Sequence, residues 1–266
     1  MPVCRVNGKR INIRGILFDK DGTLLDFVSM WGAWAHDVTE LVKQRVEEAG
    51  AELLVEPGRL LGLLRDANGH LTGYDPAGPA AMATEEQTTG LLTWQLYAAG
   101  MPWNDALREV KAILHTAMEQ VKSRRTAEPM PGLVRFAEQC RELGISMGVV
   151  TADRTSEAWE HLSWMKLDAH FGTVVGTDRV KNGKPEPDMV LLACSELDLA
   201  PGEVLVIGDS NADMQMGKAA GAALAIGYCP DGESRHLRDA DIVIRSYEEL
   251  KLDAGSSLII QGAERD

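Results

Sequence analysis

Gly15-Ile16-Leu17-Phe18-Asp19-Lys20-Asp21-Gly22-Thr23 is the stretch that decides the fold of this 266-residue chain. Its first four residues form an apolar run, the pattern of a strand buried on both faces of a parallel sheet. The run stops at two acids spaced i and i+2 beside a glycine. A turn with solvated carboxylates explains one aspartate easily and both less well. Ligands of open α/β sheets bind at the carboxyl ends of strands. Asp19 and Asp21 are therefore candidate functional residues.

Upstream, residues 3–6 and 9–13 flank Asn7-Gly8, which predicts a hairpin with a type I′ turn. Downstream the period changes. Trp31, Trp34, Val38, Leu41, Val42 and Val46 recur at helical spacing over 28–48, and Gly50 suits the stop. Residues 66–82 are rich in turn formers. Helices are expected over 84–99, with Thr84 as cap and Gln87 three residues on, and over 104–125. Residues 28–125 thus read as helix and loop only. Beyond Pro129-Met130-Pro131, helices over 132–143, 155–164, 187–197 and 212–220 alternate with strands over 145–150, 173–175, 204–207, 223–226 and 242–244. A short helix is expected over 247–250, and the tail after Asp253 carries no signal. Alternating strands and helices imply a parallel sheet covered on both faces, a three-layer α/β/α, Rossmann-like core. The expected organisation is a discontinuous core of residues 1–25 and 130–266, interrupted by a smaller α-helical domain over 26–129.

Three more segments carry candidate chemistry. Gly208-Asp209-Ser210-Asn211-Ala212-Asp213 follows a second buried run. Asp209 falls at a strand end. Asp213 falls in a first helical turn, where a capping role is the alternative to a site role. Three clustered carboxylates call for a cation, and oxygen donors with a substrate phosphate suit Mg²⁺. Thr151 closes another strand, where a turn or cap role competes. Lys184, in Gly-Lys-Pro-Glu-Pro, is held by stiff backbone, although a lone lysine is ordinarily solvated surface.

Composition limits the partners. The chain is 45% hydrophobic and 25% charged with 26 Gly and 11 Pro, which excludes a disordered chain, a collagen and a simple coiled coil. A net charge of −13 argues against nucleic acid as the main partner. No apolar run reaches the roughly 18 residues of a spanning helix, and the N-terminal stretch lacks the core of a signal peptide. The four scattered cysteines read as reduced, buried thiols of a cytoplasmic protein. The scattered histidines form no H-x-x-x-H pair, so zinc is not expected. Nothing in the sequence chooses between monomer and homodimer.

Taken together, Asp19-x-Asp21-Gly22-Thr23, Thr151, Lys184-Pro185 and Gly208-Asp209-Ser210-x-x-Asp213 resemble the four motifs of the haloacid dehalogenase-like (HAD) hydrolases. The match covers 15–25 and about 130–245. The helical insertion resembles a family cap, and phosphoglycolate phosphatases are the members most like this chain. The resemblance implies Asp19 as the nucleophile that takes the phosphoryl group, Asp21 as general acid and base, and Thr151 and Lys184 as holders of the phosphoryl oxygens. Mg²⁺ would be held by Asp19, Asp209 and the main-chain carbonyl of Asp21. Asp213, counted with this metal group, would orient Lys184 or a metal-bound water. Lys20 and Ala152 complete the substrate-binding set, Lys20 through its main-chain N–H with its side chain pointing elsewhere.

Asp21 favours phosphate monoester hydrolysis within the family, because carbon–halogen and phosphonate cleavers lack a second aspartate there. A phosphosugar mutase and a non-catalytic phosphometabolite sensor are the alternatives. The substrate would be a small phosphorylated metabolite chosen by the inserted domain, acting as a lid, with Arg65 as an expected anion contact.

Overall fold

The computed structural model describes residues 1–255. The chain opens with an antiparallel hairpin, β1 (Val3–Val6) and β2 (Lys9–Asn12). Asn7 and Gly8 turn it with φ of 46° and 76°, the left-handed pair a type I′ turn requires. β3 (Gly15–Phe18) follows, every residue buried. The chain then forms a separate compact unit, Asp26–Glu128, before returning at Pro129 to the unit begun by Met1–Leu25. The outgoing and returning segments run side by side. The Met130 amide donates to the Leu24 carbonyl (2.8 Å), and that of Asp26 donates to the Glu128 carbonyl (2.8 Å).

In the inserted unit, one turn of π-helix (Val28–Gly32) leads into α1 (Ala33–Glu48). Then come α2 (Pro57–Leu61), β4 (Leu63–Arg65), β5 (Leu71–Tyr74), α3 (Pro79–Met82), α4 (Glu85–Ala98) and α5 (Trp103–Arg124). Val38, Val42 and Val46 of α1 meet Leu92 and Leu96 of α4 and Val110 and Ile113 of α5 in one core. Their spacing of three and four residues puts each set on one helix face. Thr84 caps α4 in a capping box with Gln87. The expectation of helix and loop alone fails at β4–β5, an antiparallel pair with Leu63 opposite Tyr74. Strands of three and four residues, with Leu64 exposed, leave too little alternation to distinguish them from turns.

After Pro129 come α6 (Leu133–Glu142), β6 (Ser146–Val150), α7 (Thr155–Trp164), β7 (Thr173–Val175) and α8 (Asp188–Glu196). β8 (Val204–Gly208), α9 (Asn211–Ala220), β9 (Leu224–Tyr228), β10 (Ile242–Ile244) and β11 (Lys251–Asp253) complete the described chain. Six strands form one parallel sheet, ordered β10-β9-β8-β3-β6-β7. Leu17, Val150 and Val206 pack on one face against Met189, Val190 and Ala193 of α8 and Met216 of α9. Phe18 points to the other face and meets Phe136 of α6 and Phe171 edge-on, with centroids 6.4 and 6.0 Å away. This is the expected α/β/α core. β11, unforeseen, adds to β1 with Cys4 opposite Leu252. Residues 256–266 of the tail lie outside the described residues. The four cysteines are free and buried. Among the described residues no helix is long and apolar enough to cross a membrane.

The strand order places the site. From β3 the chain passes to β6 and β7 on one side, then to β8, β9 and β10 on the other. The reversal falls between β3 and β8, the switch point where open α/β sheets leave a crevice. Phe18 stands in register with Val149 of β6 and Ile207 of β8. The carboxyl ends of these three strands therefore share one edge.

Candidate active site

Asp19 leaves β3 with its amide still donating to the Ile207 carbonyl (2.8 Å), so its backbone is an extension of the sheet. The chain then turns sharply. The Leu24 and Leu25 amides both donate to the Lys20 carbonyl (2.8 and 2.9 Å), and Gly22 adopts φ +78°, which its lack of a Cβ allows. The Tyr247 hydroxyl donates to the Thr23 carbonyl (2.9 Å). Asp19 and Asp21 are thus launched from a turn closed by backbone bonds rather than from a loose loop.

Asp213, in the first turn of α9, caps the helix through one carboxylate oxygen and meets Lys184 through the other. Its Oδ2 accepts from the Ser210 amide (3.0 Å) and hydroxyl (2.6 Å), completing a capping box. Its Oδ1 lies 2.6 Å from Lys184 Nζ. A Cβ at position 208 would overlap the Asp213 side chain, so glycine is required where β8 ends. Lys184 also pairs with Asp19 Oδ1 and is 11% exposed, which removes the solvated-surface reading. The Asp209 carboxylate joins them: ligand oxygens of Asp19, Asp209 and Asp213 lie within 4.8 Å of one another. The Asp209 carbonyl faces His236 Nε2 at 3.0 Å.

Three acids around one lysine leave excess negative charge. Burial, reinforced by Asp213 and Asp21 against the pull of Lys184, pushes the Asp19 carboxyl up to about 7. Burial and the charges of Asp19 and Asp213 raise Asp209 well above its ordinary value. Burial alone would lower the Lys184 ammonium, but Asp19 and Asp213 outweigh it and raise its pKa. An all-oxygen donor set with unbalanced charge fits a hard divalent cation such as Mg²⁺.

Asp21 belongs to a different group. Its carboxylate is not among the three clustered ones, and its Oδ1 lies 2.6 Å from Lys20 Nζ. The same ammonium lies 2.9 Å from Asp153 Oδ2, and His161 Nδ1 is 3.5 Å from that oxygen. The Lys20 side chain, set aside from the sequence, is fully buried. Burial opposes its charge, yet Asp21 and Asp153 outweigh burial and raise its pKa. Burial would lift Asp153, but Lys20 and His161 hold it well below the usual carboxylate range.

Thr151 is buried directly after β6, its amide donating to the Val175 carbonyl (3.1 Å) and its Oγ1 accepting from the Asp153 amide (3.2 Å). Ala152 is exposed, and its carbonyl accepts from Thr177 Oγ1 (3.3 Å). Arg65 belongs to the inserted unit, on β4, where its guanidinium donates to the Gly69 carbonyl (2.9 Å) and faces His36 Nδ1 (2.8 Å). Sequence reasoning missed Asp153, His161 and His236. Only Asp153 carried a signal, an acid two residues beyond Thr151 at a strand end.

The buried lysine–carboxylate centre lies at the switch point of the parallel sheet, the edge where open α/β proteins bind their ligands. The haloacid dehalogenase-like hydrolase model matches residues 13–221, and the chain belongs to that family. It is 29% identical over 246 residues to a phosphoglycolate phosphatase from Salmonella typhimurium, covering 90% of this chain and 91% of the relative. Among solved structures it resembles a HAD family hydrolase from Deinococcus radiodurans with bound phosphate and sodium. The TM-score is 0.59 at 20% identity, over 90% of this chain and 93% of the other. A β-phosphoglucomutase from Clostridium difficile shares the fold with a TM-score of 0.56 at 16% identity, over 90% and 93% of the two chains.

Proposed function

We propose that the chain is a Mg²⁺-dependent phosphatase that hydrolyses a small phosphate monoester, of the phosphoglycolate or sugar-phosphate type, through an aspartyl-phosphate on Asp19. The carrying observation is Lys184 held between Asp19 and Asp213 beside Asp209, two residues of chain away from a second acid, Asp21. Relatives named phosphoglycolate phosphatase support the substrate class.

In the first step an Asp19 carboxylate oxygen bonds to phosphorus as the phosphorus–ester oxygen bond breaks. Asp21 gives its proton to the departing alkoxide. In the second step water bonds to phosphorus, its proton passes to Asp21, and the Asp19–phosphorus bond breaks. Inorganic phosphate leaves, and both acids return to their starting states. Lys184 and Thr151 hold phosphoryl oxygens, and Lys184 offsets charge in the transition state. Asp19, Asp209, Asp213 and the Asp21 carbonyl would hold Mg²⁺, which when bound neutralises the repulsion between a carboxylate nucleophile and an anionic ester.

The test is phosphate release from a panel of 2-phosphoglycolate, hexose phosphates and nucleotides, compared by kcat/KM with and without Mg²⁺. The expected result is metal-dependent release, highest for small monoesters. Silence across the panel refutes the reading, and an isomerised phosphosugar without net phosphate release makes the protein a mutase.

A further inference from the structure

Two buried lysines stand at the Asp19-Lys20-Asp21 turn, and only Lys184 has been given a task. Lys20 has no exposed surface, so it serves through what it touches. It touches two carboxylates from distant parts of the chain: Asp21 Oδ1 at 2.6 Å and Asp153 Oδ2 at 2.9 Å. The anchor behind it is rigid. Asp153 follows β6, and its carbonyl accepts from the Thr177 amide (3.0 Å), which ties it to the loop after β7. Gly176 lies against that carbonyl so closely that any Cβ would overlap it. His161 of α7, itself buried, stands 3.5 Å from the same Asp153 oxygen.

We infer that Lys20 is a positioning residue for Asp21, with Asp153 as its anchor and His161 behind the anchor. The ammonium donates to Oδ1 and so fixes the plane of the Asp21 carboxyl. The proton that Asp21 gives and takes is thereby confined to Oδ2. Asp153 supplies a second negative partner, so the buried ammonium does not depend on Asp21 alone for compensation. Asp21 stays 22% exposed while both residues behind it are fixed, as a group must be to deliver a proton along one direction. This rests on the reading of Asp21 as acid and base given above.

The test separates the two halves of the reaction with p-nitrophenyl phosphate and Mg²⁺ on the full chain. Its leaving group needs no proton, so phosphorylation of Asp19 bypasses Asp21, whereas attack of water on the aspartyl-phosphate does not. Lys20→Met is expected to show a burst of about one p-nitrophenolate per enzyme, then turnover slowed on the order of 10²-fold, within the range for general acid–base catalysis. Against an alkyl phosphate, which needs the acid in the first step, it should be slow with no burst. Asp21→Asn should behave in the same way.

If Asp21→Asn lacks the burst, the reading of Asp21 fails and the inference falls with it. If Asp21→Asn bursts and Lys20→Met does not, Lys20 alone loses its role. Turnover of Lys20→Met at the wild-type rate is equally fatal to it. Where Lys20→Met does not fold, the charge-conserving pair Lys20→Met with Asp153→Asn replaces it, with the same burst expected. Failure of both to fold makes Lys20 a scaffold residue and overturns the inference.

Discussion

The two lysine centres at the Asp19–Asp21 turn have the same design and different charge balance. Lys184 sits between Asp19 and Asp213 with Asp209 close by. Lys20 sits between Asp21 and Asp153 with His161 behind. In the first, burial and mutual repulsion raise the Asp19 and Asp209 carboxyls. In the second, the Asp153 carboxyl is held down despite its burial. A third acid around one lysine makes the difference. The Lys184 centre sets three carboxylates against one ammonium and would be completed by a cation, whereas the Lys20 centre sets two against one, with His161 beside Asp153. Two residues of chain separate the proposed reactive centre from the one inferred to position Asp21.

The comparison is broken most severely at its reactive end. Asp19→Asn removes the proposed nucleophile and is expected to lower kcat on the order of 10⁶-fold, the scale for deleting a covalent nucleophile. The protein should stay folded, because the neutral amide also relieves the repulsion that raises Asp19. Retention of even a hundredth of wild-type turnover, measured by phosphate release, would reassign the nucleophile. Lys184→Met comes next. Losing one donor to the developing charge costs about 10²–10³-fold in kcat. The effect should appear in kcat for every substrate, good or poor leaving group alike. That distinguishes it from Lys20→Met, whose effect depends on the half-reaction.

The legible part of this centre was what lies adjacent in sequence. β3 and β8 are apolar runs that end in acids, and a strand end is a local signal. The α/β/α core followed from strands and helices long enough to show their period. The unforeseen parts are pairings made over distance. β11 is three residues long, and its partner β1 lies at the other end of the chain. β4 and β5 sit among glycines and prolines that read as turns. Lys20, between two acids in sequence, was expected to serve through its main-chain N–H, with its side chain pointing elsewhere. Its burial depends on Asp153 and His161, more than 130 positions away and unremarkable alone. Asp213 shows the opposite limit. The sequence offered cap or site as alternatives, and its two oxygens divide the roles.

The smallest expected effect sharpens the comparison most, because it reads charge balance without turnover. The Asp19 carboxyl titrates at about 7 in the fold against an ordinary 3.8. Between those values the folded protein keeps a proton that the unfolded chain has released. The metal-free fold therefore loses stability as pH rises through that window, and the loss levels off above about 7. A divalent cation takes the place of that proton, so its stabilising effect grows with pH. At about ten times its Kd, Mg²⁺ stabilises by about 1.4 kcal/mol, a Tm rise of about 3–6 °C for a domain of this size. That rise is expected at pH 8 and should be much smaller at pH 5.5, where Asp19 holds a proton. Asp209→Asn should raise the metal-free Tm at pH 8 and abolish the Mg²⁺ response, because it removes a repulsive charge and a ligand together. Asp153→Asn should lower the Tm and leave the Mg²⁺ response intact, because Asp153 pairs with Lys20 and is not among the clustered carboxylates that would hold the cation. Thermal melts of the three proteins at both pH values measure all of this. An equal Mg²⁺ shift at pH 5.5 and 8, or one lost on Asp153→Asn, would mean that the two centres share a single charge balance.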